Sequence, residues 1–118
     1  MVDRLKITVL KREVCPDLIR RYQAELDDER AYAPCGRFHD GETFLVEPCE
    51  KPDGFCSWAW ADIQRQAIWV ALRGVQPGYK HPGTAVACCT DGLRPVFFRL
   101  ELVDVPEEVS GEAEEESA

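Results

Sequence analysis

Six cysteines stand out in this chain of 118 residues: Cys15, Cys35, Cys49, Cys56, Cys88 and Cys89. A thiolate is both a nucleophile and a soft metal ligand, so position decides what each can do. Cys56 opens the stretch "CSWAWADI", where the pattern predicts the start of a helix. There a thiol meets the positive end of the helix dipole and free N–H groups, which favour thiolate. Burial against Trp60 and Ile63 would oppose this, and the sequence leaves the balance open. Cys88 and Cys89 are adjacent near the end of a strand, so they face opposite sides of a sheet. A vicinal disulfide would break strand geometry and is the less favoured reading.

Close metal-ligand pairs are lacking: Cys35-x3-His39 is the nearest approach, and Cys49-x6-Cys56 is too open to be diagnostic. In space, however, the loop with Cys35, the helix start at Cys56 and the strand end at Cys88 and Cys89 can meet at one end of a sheet. The expected site is therefore metal or thiol-redox, built from Cys35, Cys56 and either Cys88 or Cys89, with His39 or Cys49 as the fourth ligand. Thiolates favour zinc, with an iron–sulfur centre second. The competing reading is that these cysteines fill a core as small apolar groups. A Cys56–His39 nucleophile pair is a weaker alternative. No paired carboxylates and no glycine-rich phosphate loop are evident, so the sequence leaves catalysis undecided.

Four strands and two helices must position these residues. "RLKITVLKR" (4–12) alternates, with Leu5, Ile7 and Val9 on one face, and reads as a strand. Pro16 and Asp17 suit a helix start, and Leu18, Tyr22 and Leu26 recur every four residues, predicting a helix over about 16–28. A loop from about 29 to 41 leads into "ETFLVE" (42–47), a second strand. The second helix is expected over 57–73, capped by Ser57 or Asp53 and ended by Gly74. Its wheel places Cys56, Trp60, Ile63, Ala67, Val70 and Ala71 on one stripe, with Trp58, Trp69 and Leu72 opposite. Cover by the long loops is the favoured fate of that second stripe, because large aromatic patches are uncommon on monomers. "TAVACCT" (84–90) and "RPVFFRLELV" (94–103) flank Asp91-Gly92 as a hairpin with a two-residue turn. The order βαβαββ implies an α+β domain with a four-stranded mixed or antiparallel sheet and a C-terminal hairpin.

The net charge of −8 is unevenly placed, since residues 106–118 hold six glutamates and no Lys or Arg. Removing them leaves −2 for residues 1–105, the expected globular body, and marks 106–118 as an acidic tail too poor in apolar groups to fold. The balanced body disfavours nucleic acid, and no apolar run is long enough for a membrane span. The opening "RLKITVL" reads as a strand, not a signal peptide, which implies a cytoplasmic location with reduced thiols.

"CEKPDGFCSWAWADI" (49–63) and "CCTDGLRPVFF" (88–98) resemble a family of small, uncharacterised bacterial and archaeal single-domain proteins with GFCSWAW and CxDGxRPV signatures. "KITVLKRE" (6–13), Cys35 before Phe38 and Gly41 before Phe44 also match, so the likeness covers about residues 4–104. It implies a compact prokaryotic domain that retains Cys35, Cys56 and one or both of Cys88 and Cys89, and it implies no activity. Two functions follow as expectations: a cytoplasmic metal-binding or thiol-redox domain, or a non-catalytic interaction domain whose Trp58/Trp69 stripe meets a protein partner or a second copy.

Overall fold

Alternating side chains in "LKITVLKR" produce strand β1, Leu5–Arg12, at the centre of a four-stranded sheet. The computed structural model describes residues 4–24, 29–47, 50–74 and 77–103, without the side chains of 29 and 30. The acidic tail and Cys49 lie outside the described residues. The other strands are β2 (Thr43–Val46), β3 (Thr84–Cys88) and β4 (Val96–Leu102), in the spatial order β2-β1-β4-β3. All three pairings are antiparallel, which resolves the mixed-or-antiparallel alternative. Helix α1 is Pro16–Tyr22 and α2 is Ser57–Ala71, so the domain is α+β in the expected order. None of the helices among the described residues is long and apolar enough to cross a membrane.

One sheet face supplies Leu5, Ile7, Val9, Phe98 and Leu100 to the core, all at most 1% exposed. Helix α2 covers that face with Ala59, Trp60, Ile63, Ala67, Val70 and Ala71, the stripe its periodicity implies. Helix α1 departs from expectation. It ends at Tyr22, because Gln23 turns extended and its side-chain oxygen accepts a hydrogen bond from Arg94 Nη2 at 2.6 Å. Its buried residue is Ile19, while Leu18 and Tyr22 face outward and Leu26 lies outside the described residues. The first two members of the four-residue recurrence, Leu18 and Tyr22, therefore mark the solvent face.

Two register details position the site. The β1–β4 ladder shifts between Val9 and Lys11, leaving Leu10 as an extra residue in a bulge. Lys11 then pairs with Phe97 and Arg12 with buried Val96, so the shift puts Arg12 on the helix-covered face. The β3–β4 connection is also longer than a two-residue turn, since Cys88 pairs with Phe97. Asp91 Oδ1 accepts the N–H groups of Leu93 and Arg94 at 2.9 and 3.0 Å, closing a wider loop.

Candidate functional site

Three chain segments meet at the N-terminal end of α2. Phe55 is buried and immediately precedes Cys56, the N-cap of the helix. Gly54, at φ +79°, makes the preceding turn in a backbone region that L side chains rarely enter. Lys51 Nζ donates to the Phe55 carbonyl at 2.9 Å and holds the approach. Phe38 is buried on the second segment, the loop that carries Cys35 and Arg37. The Phe38 ring sits edge-on to Phe55 at 5.0 Å and to Phe98 of β4 at 5.2 Å. This cluster anchors both cysteine-bearing segments to the sheet through apolar burial and edge-to-face contact.

Two arginines fix the backbone of the Cys35 loop. Arg12 Nη1 donates to the Cys35 carbonyl at 3.1 Å, and Arg12 Nε to Asp40 Oδ1 at 3.0 Å. Arg94 Nε donates to the Ala33 carbonyl at 3.0 Å, and Arg94 Nη2 to that of Ala31. The third segment follows β3. Cys89 is 8% exposed, and its Sγ accepts the Val96 N–H at 3.3 Å. It lies on the core face with Ala85 and Ala87, while Cys88 is exposed on the other.

Cys35, Cys56 and Cys89 all line one cleft of about 160 Å³, together with Arg37, Trp58 and Asp91. Trp58 forms an exposed wall, held by a clasp between α2 and the segment after β3. Its indole N–H donates to Thr90 Oγ1 at 3.3 Å, and the Thr90 hydroxyl donates to the Asp62 carboxylate at 3.0 Å. The Thr90 N–H donates to Asp62 Oδ2 at 2.8 Å.

Burial raises the pKa of Cys56, but hydrogen bonds from the Ala59 N–H, the Arg37 side chain and the Trp58 N–H lower it, and the Arg37 charge adds to them. The net effect places the thiol below the ordinary cysteine range. The competition left open by the sequence therefore resolves toward thiolate: Cys56 is only partly buried, and helix donors and a cation converge on its sulfur.

The chain matches no protein-family model, no curated protein and no solved structure. Its chemistry must accordingly be read from the cleft.

Of the four cysteines expected to act together, the fold gathers three at the cleft, with Cys88 turned away. No group of three or more His, Cys, Asp or Glu among the described residues is arranged to hold a metal ion. Strand alternation turns Cys88 away from Cys89, so Cys89 is the member of the vicinal pair that joins Cys35 and Cys56, and Cys49 lies outside the described residues. His39 is exposed with its backbone N–H on Glu42, and neither it nor His81 lines the cleft. Cys15 is the N-cap of α1. Arg37 and the Asp62–Thr90 clasp were not singled out by spacing, and Trp58 was placed on the second α2 stripe rather than beside the cysteines. The available signal for Arg37 was a cation between Cys35 and Phe38 in "CGRF". The loop cover expected over the second α2 stripe is also not found: Trp58 is 66% and Trp69 52% exposed.

Proposed function

We propose that this domain is a cytoplasmic thiol-redox protein with Cys56 as its reactive group. The supporting observation is the convergence of Cys35, Cys56 and Cys89 with Arg37 on one cleft at the start of α2. A partly exposed thiol at a helix N-terminus, beside a guanidinium, is the microenvironment in which cysteine acts as a nucleophile. A reducing compartment keeps such thiols available. The thiol reading is favoured because the cleft brings a partly exposed thiol and a guanidinium together at a helix start.

The test is alkylation kinetics against pH, with peptide mapping. Cys56 is expected to react first, with a midpoint below that of a free cysteine, and Cys56→Ser is expected to lose the fast phase. Uniform slow labelling of every exposed thiol, with an ordinary midpoint, would reject the reading.

A second reading is favoured by a separate observation, the outward Trp58, Trp69 and Leu72 on α2. These would form a protein-partner or homodimer surface in a non-catalytic domain. Sedimentation velocity over a hundredfold concentration range (about 1 to 100 μM, spanning ordinary weak self-association) tests the homodimer form. A dimer abolished by Trp69→Ser supports it, and a monomer throughout removes it.

A further inference from the structure

The cleft holds more than one thiol, and its two other cysteines differ in the freedom needed for a second step. Cys89 is fixed: its side chain is buried, its backbone N–H donates to the Val96 carbonyl at 3.1 Å, and its Sγ accepts the Val96 N–H. A sulfur so held must give up its hydrogen bond and its core contacts to reach a neighbour. Cys35 is half-buried on a loop between exposed Pro34 and Gly36, outside any helix or strand. The tether from Arg12 is to its carbonyl and fixes the backbone, while the side chain lines the cleft, where χ1 rotation about Cα–Cβ moves the sulfur. The two cysteine-bearing segments are held against each other by the Phe38–Phe55 contact, with Cys35 three residues before Phe38 and Cys56 one residue after Phe55.

The geometry points to Cys35 as the resolving thiol of a Cys35–Cys56 dithiol that reduces low-molecular-weight disulfides. This inference rests on Cys56 being the reactive group. A cleft of about 160 Å³ has room for one small thiol substituent.

The steps balance as thiol–disulfide exchange. The Cys56 thiolate attacks one sulfur of R–S–S–R, the substrate S–S bond breaks, and the first RS⁻ leaves to take a proton from water. The product is a Cys56–S–S–R mixed disulfide. Cys35 then loses its proton to solvent and attacks Cys56 Sγ, the mixed disulfide breaks, and the second RS⁻ leaves. Two protein thiols are oxidised by two electrons and one substrate disulfide is reduced to two thiols. One equivalent of disulfide is consumed per chain, and return to the dithiol requires an external thiol reductant such as excess dithiothreitol.

The experiment treats the full reduced chain with excess 3,3′-dithiodipropionic acid, quenches with acid at intervals and reads intact mass and peptide maps. For wild type the expected end state is a Cys35–Cys56 disulfide with no adduct at either of these two cysteines, while Cys35→Ser is expected to accumulate the Cys56 adduct. Cys89→Ala is expected to resolve like wild type, with circular dichroism checking that each variant folds. A Cys56 adduct that persists equally in wild type and Cys35→Ser would overturn the role of Cys35. So would trapping by Cys89→Ala but not Cys35→Ser. Absence of both adduct and disulfide at Cys56 would overturn the reactive-thiol reading itself.

Discussion

The two ends of α2 are finished in opposite ways. At the C-terminal end the backbone satisfies itself: the Gly74 N–H donates to the Trp69 carbonyl at 2.8 Å, and the Arg73 N–H to that of Val70 at 2.9 Å. This is the paired closure of a Schellman motif. Its left-handed residue is Arg73, at φ 61°, and not the expected Gly74. Gly74 is needed one position later for room, since a Cβ there would lie 2.2 Å from Cε2 of Trp69. At the N-terminal end the cap residue is Cys56, so a sulfur rather than a side-chain oxygen faces the first helical N–H groups. Ser57 and Asp53, the expected caps, do not take the position. A serine or aspartate at the cap would satisfy an orphan N–H and stabilise the helix. A thiol leaves the donors of Trp58 and Ala59 to lower its own pKa. One end is closed by its own backbone, and the other places a thiol where a better capping oxygen could stand.

The largest break in this contrast comes from removing the aromatic anchor beneath the N-terminal end. Phe55→Ala should cost about 3–5 kcal/mol, read as a fall in the urea midpoint, because the side chain is 3% exposed and touches three other rings of the cluster and Trp60. The fast alkylation of Cys56 should be lost with it.

Cys56→Asp should separate stability from chemistry. A carboxylate caps the helix and meets the same guanidinium, so stability should rise by about 1 kcal/mol, read as a higher urea midpoint, while thiol reactivity disappears. At the other end, Arg73→Gly should stabilise by about 1 kcal/mol, by relieving left-handed strain, and leave the Cys56 pH profile unchanged. A destabilised Cys56→Asp, or a shifted Cys56 profile in Arg73→Gly, would show that the ends are not specialised as described.

Smaller effects sharpen the electrostatics. Arg37→Met should move the Cys56 alkylation midpoint upward, because it removes both a hydrogen bond and a positive charge. Wild type should react faster with dianionic 3,3′-dithiodipropionate than with dicationic cystamine, by on the order of tenfold at low salt, and the variant should lose that preference. The same depressed pKa links pH to stability. The folded thiol binds its proton more weakly than the unfolded one, so the stabilisation is fully present above the unfolded pKa and fades as pH falls through the folded one. Cys56→Ser should flatten that slope on the alkaline side of neutrality, measured by urea unfolding at several pH values.

Much of the fold was legible because periodicity survives errors of position. The hairpin register expected from Asp91-Gly92 differs from the observed one by two residues, yet Cys89 still shares the core face with Val96 and Phe98. A two-residue slip conserves faces, because side chains alternate with a period of two. The bulge at Leu10 inserted one residue, and one is enough to turn Arg12 to the helix side. No feature of "KITVLKRE" announces that insertion. For α1 the helix start was legible, but which side of a short helix is buried depends on what surrounds it, and Ile19 rather than Leu18 or Tyr22 is the residue covered.

The sequence by itself determined the α+β order, the apolar stripe of α2, the placement of Cys56 at the helix start and the opposite facing of Cys88 and Cys89. These follow from repeats of two and 3.6 residues and from local turn chemistry, which act over a few neighbours. Only the tertiary structure decided that Cys35, Cys56 and Cys89 share a cleft without Cys88, and that Arg37 reaches the Cys56 sulfur. It also decided that Arg12 and Arg94, distant in sequence, hold the loop that brings Cys35 there. Such contacts join residues tens of positions apart, and their geometry is set by ring packing and strand register that no local pattern encodes.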